Sequence, residues 1–152
     1  MNKNSYLLIL AGVLSFCAAL FQAVIGFVPE WSAAFGAGDM LASNPTLLLI
    51  SALLVALLLA IFGFYGLSGA GIIRRLPWLR LGLLVIGFLY FLVGIYFIPQ
   101  MLAVLGILPS TQPVPIYLLL ITFGALVACL AYLIGLAVNW KRLSSKTITN
   151  VS

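Results

Sequence analysis

The chain has 152 residues, of which 65% are hydrophobic and only 6% charged, with seven Lys and Arg, two Asp and Glu, and no His. Soluble domains carry about 25% charged residues, so this chain lacks the polar side chains to cover a water-soluble fold of its length. The missing histidine removes an imidazole base, a haem ligand and a histidine-bound metal together, and nothing else in the sequence implies a cofactor.

Four apolar runs follow one another, roughly 6–28, 46–70, 77–98 and 115–140. Each holds about 20 or more apolar residues, enough to cross a hydrocarbon core of about 30 Å as a helix. Barrel strands would instead alternate over about ten residues. The first run follows Lys3 and ends at Val28-Pro29-Glu30 without a small-x-small cleavage site, so it reads as a retained helix and not a signal peptide. After it come Glu30 and Asp39, the only two acids, with Trp31 and Phe35 spaced to dip into headgroups from a short surface helix. Asn44-Pro45 opens the second run with a capping residue and a proline at the first helical position. Arg74, Arg75 and Arg80 surround the second–third connection, where Pro77 is expected to open the third helix as Pro45 opens the second. Pro99 should close the third helix, and residues 100–108 should either continue it or lie at the interface. Pro113 and Pro115 precede the fourth run; Lys141, Arg142 and Lys146 follow it, and residues 143–152 read as a flexible tail.

Every cation thus falls on one side of the membrane that the runs define, and both acids fall on the other. Under the positive-inside rule the termini are cytoplasmic. The expected fold is an all-α integral membrane protein: one domain over residues 1–152, four transmembrane helices running up-down-up-down, with lean loops that suggest a bacterial inner membrane. The net charge of +5 is placed as an anionic cytoplasmic leaflet would draw it. It therefore implies membrane lipids as partners and not nucleic acid.

Small residues form the richest pattern. Ala11, Ser15, Ala19 and Ala23 recur every four residues, and Gly63, Gly66, Gly69 and Gly71 crowd the end of the second run. Gly87 and Gly94, then Gly124, Ala128, Ala131 and Gly135, supply similar faces later. In lipid such faces let helix backbones approach closely, either within the bundle or against another subunit or a second copy. The glycines before Arg74 do not form a phosphate loop, because a helix end offers free carbonyls and not amides.

Few residues carry chemistry. Arg74, Arg75 and Arg80 suit contact with lipid headgroups, or simply set the topology. Gln22, the most polar residue deep in a span, and Tyr90, nearest mid-membrane, would line a ligand path or hydrogen-bond between helices. Ala19 and Gly66 are candidate helix-interface positions. Glu30 and Asp39 are an outer-loop acidic pair, more simply a solvated face than a cation or acid–base site. Cys17 and Cys129 lie at similar depth and read as packing residues. No span holds an acid, unlike the small multidrug antiporters, a four-helix class that depends on a glutamate in the first helix; coupled ion transport needs such groups. Two readings remain. One is a non-enzymatic membrane protein acting by helix–helix association, as an accessory or scaffold subunit or a homo-oligomer. The other is a protein that binds or moves a lipid, quinone or similar apolar ligand.

Overall fold

A computed structural model describes residues 5–28, 44–109 and 114–144, and among these every regular element is helical. Helix α1 spans Tyr6–Phe27, α2 Pro45–Ala70, α3 Leu79–Gly94, α4 Phe97–Val104, α5 Ile116–Val138 and α6 Trp140–Ser144. Four stretches are long and apolar enough to cross a membrane: Tyr6–Phe27, Pro45–Ala70, Leu79–Val104 and Ile116–Val138. Glu30, Trp31, Phe35 and Asp39 lie outside the described residues, as do Lys3, Pro113 and the residues after Ser144.

The start of α2 follows its sequence. Asn44 accepts the Leu47 amide at 3.3 Å, and Pro45 occupies the first turn, where no backbone donor is needed. At the other end Gly71 adopts φ +82°. The Gly71 amide then reaches the Ser68 carbonyl and the Ile72 amide the Leu67 carbonyl, each at 3.0 Å, the two bonds of a Schellman stop. Ser68 pins the chain that follows: its hydroxyl donates to the Arg74 carbonyl at 3.1 Å and accepts the Leu76 amide at 2.9 Å.

That pinned turn corrects the expected role of Pro77. The proline does not open α3 but sits inside the turn, where its carbonyl accepts the Tyr65 hydroxyl at 3.3 Å. Trp78, at φ +54°, caps the helix, which begins at Leu79. Pro99 is corrected too. Helix α3 ends at Gly94, the chain turns at Ile95 and Tyr96, and Pro99 lies in the first turn of α4 instead of closing a helix. Proline has no amide for the Ile95 carbonyl, and Ile98 supplies one instead at 3.2 Å, tightening the backbone locally. The apolar stretch therefore continues, offset, to Val104.

The four long stretches pack around one core, in the cyclic order α1, α2, α3, α5. Leu8, Leu83 and Tyr132 are fully buried there. Glycines set the closest approaches. A Cβ added at Gly66 would meet the Gly12 Cα and amide nitrogen at 2.8 Å, and one at Gly94 would meet the Leu126 Cα at 2.8 Å. Leu8 fills the notch at Gly135, and the Tyr65 ring lies against Gly82. Outward-facing positions are large and apolar, as on α2 with Leu53, Leu54, Leu57, Leu58 and Ile61, which suits a solvent of acyl chains.

Candidate functional site

Three hydroxyls meet at the centre of the bundle, each from a different helix. Tyr90 of α3 donates to Ser15 Oγ of α1 at 2.9 Å. Ser15 Oγ lies 2.9 Å from the Tyr132 hydroxyl of α5, and Tyr132 donates to the Phe62 carbonyl of α2 at 2.7 Å. A phenol has a single proton. Tyr132 spends its own on Phe62, so Ser15 must be the donor between them. The bonds run in one direction, Tyr90 to Ser15 to Tyr132 to Phe62, with every hydroxyl proton used and all four helices joined. The two tyrosine rings stack with centroids 5.8 Å apart and planes 13° apart, and Phe62 meets Tyr90 edge-on at 6.0 Å.

The sequence places these groups for plain reasons. Ser15 stands on the small face of α1, between Ala11 and Ala19, and all three are buried. Only a small residue there lets two aromatic rings reach the hydroxyl. Ala23, one turn further, is half-buried. A phenol inside a membrane span needs a partner of its own because water is absent. Tyr90 makes a hydrogen bond between helices, to a hydroxyl, whereas Tyr132 takes a carbonyl.

The other candidate residues are scattered. Ala19 is buried, and Gly66 is buried against Gly12 of the same chain. Gln22 is half-buried, without a side-chain hydrogen bond among the described residues, and it takes no part in the hydroxyl chain. Arg74 and Arg75 are exposed in the α2–α3 turn. Arg80 is turned to a different task. Its Nη2 donates to the Trp140 carbonyl at 2.7 Å, and its guanidinium carbon lies 4.5 Å from the centre of the Trp140 ring, so it clasps the start of α3 to the start of α6. Glu30 and Asp39 are outside the described residues. Cys17 is exposed and Cys129 buried, so their thiols occupy different surroundings although α1 and α5 touch.

Sequence reasoning missed three partners. In the sequence Ser15 stands out for its size and not for its hydroxyl, though two mid-span tyrosines in need of partners are the available signal. Gly12, the partner of Gly66, lies one position off the Ala11 series, so the spacing does not pick it out. A second polar contact, Thr122 Oγ1 to Gln100 Oε1 at 2.9 Å, ties α4 to α5; the threonine also bonds the Leu118 carbonyl of its own helix at 2.9 Å. Among the described residues no three His, Cys, Asp or Glu side chains come together. Comparison with family models, with curated proteins and with solved structures finds no match.

Proposed function

We propose that this chain is a non-enzymatic membrane protein that acts by helix–helix association, as an accessory or scaffold subunit or as a homo-oligomer. The reading rests on one observation: the centre of the bundle is filled by the chain's own rings and its hydroxyl protons are all spent. What such a protein offers in the plane of the membrane is its outside. Among the described residues of the small series on α5, Gly124 is open, since a Cβ added there would meet nothing within 4 Å, while Ala128, Ala131 and Gly135 are buried within the chain. Small residues in lipid mark places where another helix can approach closely.

The up-down-up-down course belongs to the same proposal. It is supported by contacts that run in opposite chain directions, Gly12 with Gly63 and Gly26 with Ala52 between α1 and α2, and Gly87 with Leu133 and Gly94 with Leu126 between α3 and α5. The charge partition supports cytoplasmic termini, and the lean connections fit a bacterial inner membrane. A second reading, binding of a lipid, quinone or other apolar molecule, is favoured by Gln22 alone, a half-buried amide without a described partner.

Native mass spectrometry after gentle detergent extraction tests both. On the association reading a second copy or a partner subunit is retained. Gly124→Leu releases it while the monomer stays as stable as before. A monomer that instead retains an apolar molecule, lost in Gln22→Leu, overturns association in favour of the carrier.

A further inference from the structure

Helices α1 and α5 meet at one end and part towards the other. Leu8 of α1 sits in the notch at Gly135, and Ser15 lies 2.9 Å from the Tyr132 hydroxyl. Leu8, Ser15 and Gln22 are spaced by seven residues, close to two helical turns, so Gln22 faces the same way. It is nevertheless only half-buried, and its side chain makes no hydrogen bond among the described residues. On α5, Gly124 lies eleven residues before Gly135, about three turns, and so on the same side of that helix. A Cβ at Gly135 would meet Leu8 at 2.8 Å, whereas one at Gly124 would meet nothing within 4 Å.

The shared core ends at the same level. Of α1 it takes Leu8 and Ala11, with Ile9 and Leu14 packed against them, while Ala19 and Ile25 are buried outside it. At 1.5 Å per residue, Gln22 stands about 10 Å beyond Ser15 and Gly124 about 12 Å beyond Tyr132. The two therefore lie at a similar depth, an amide on one wall of a crevice and a missing side chain on the other. The amide is not sealed in, since among the described residues Arg80 Nε is the only buried side-chain nitrogen or oxygen without a partner.

An amide within a span needs a partner, because acyl chains offer no hydrogen bond. A primary amide is matched in full by another primary amide, each carbonyl accepting an N–H of the other. A second copy of this chain brings such a group to the same depth, because the charges orient every copy alike. Gly124 lets the two surfaces approach closely, and Ile116 and Leu120, 75% and 66% exposed, precede it at four-residue spacing and add apolar surface to cover. We propose that two copies associate through the α1–α5 crevice, with Gln22 of each paired to the other's Gln22 across a two-fold axis. This inference rests on the association reading and names its partner and its central contact.

The test uses the full chain, labelled at its C-terminus with a donor or an acceptor fluorophore, in phosphatidylcholine vesicles at varied protein-to-lipid ratio. Energy transfer shows the wild type dimerising. Gln22→Leu lowers the association constant about tenfold, the worth of two interhelical hydrogen bonds, while thermal unfolding of the monomer is unchanged. Gln22→Asn, which keeps the amide on a shorter stem, retains more association than Gln22→Leu. The mixed pair decides the symmetry: wild type with Gln22→Leu associates no more strongly than two copies of Gln22→Leu. A mixed pair midway between the two homodimers overturns the amide pair, because Gln22 would then bond a different residue of the other copy. Wild-type dimers undiminished by Gln22→Leu overturn it too and leave association standing. A wild type that stays monomeric overturns the second copy; native mass spectrometry then shows whether a different subunit is retained, which keeps the association reading, or an apolar molecule, which ends that reading as well.

Discussion

Ser15 is the residue on which the central network turns, because it accepts from one tyrosine and donates to the other. The order of protons along the chain makes the two tyrosines unequal. Removing the Tyr132 hydroxyl takes an acceptor from Ser15 and a donor from the Phe62 carbonyl, whereas removing the Tyr90 hydroxyl takes away only the first donor and strands no proton. Interhelical hydrogen bonds in membranes are worth about 0.6 kcal/mol on average and up to about 1.7. Tyr132→Phe is therefore expected to cost about 1–2 kcal/mol and Tyr90→Phe less than about 1 kcal/mol. Reversible unfolding in mixed micelles reads both; equal costs, or a larger cost for Tyr90→Phe, would refute the assigned direction. The need of both tyrosines for partners was readable in the sequence, since a phenol in a span cannot turn to water. The identity of those partners was not, because it depends on how α1 is rotated against α3 and α5.

At the level of helices, the sequence revealed starts and stops better than it revealed neighbours. Asn44-Pro45 and Gly71 act as their chemistry requires, as cap, first turn and left-handed stop. Pro77 and Pro99 did not, because a proline before a helix and a proline in its first turn look alike until the local hydrogen bonds are known. Here Ser68 and Tyr65 hold Pro77 in a turn, and the Ile98 amide covers for Pro99. The small faces were readable as faces, but small spacing alone does not distinguish an occupied notch from an open one. Gly66 and Gly124 make that difference measurable. A methyl at Gly66 would meet backbone of Gly12 that cannot move aside, while one at Gly124 would meet nothing. Gly66→Ala is expected to destabilise by about 1–3 kcal/mol, as overpacking does. Gly124→Ala should be neutral or stabilising by up to about 1 kcal/mol through helix propensity. Thermal unfolding of the two purified variants in one detergent compares them directly, and a Gly66→Ala protein as stable as the wild type would contradict the close α1–α2 approach.

For the molecule as a whole, the distribution of nine charged residues carries more information than any motif. Four apolar stretches explain why the chain belongs in a membrane, but only the charges orient it, because apolar length is the same read from either side. The central network adds nothing to orientation, as hydroxyl bonds between helices are indifferent to which face is cytoplasmic. If the arginines of the α2–α3 turn lie inside, the connection bearing Glu30 and Asp39 lies outside together with the connection after α4, and both termini lie with the arginines. A cysteine placed at Ser32 in a background lacking Cys17 and Cys129 should then react with a membrane-impermeant maleimide in intact cells. One placed at Ser145 should react only after the membrane is opened; both positions lie outside the described residues. Replacing Arg74, Arg75 and Arg80 together with glutamine removes three of the seven cations and should produce a mixed population in which Ser145→Cys gains outside labelling. If the triple variant keeps full inside protection of Ser145→Cys, the remaining cations suffice for topology. The arginines of the turn would then have to be explained by what they bind.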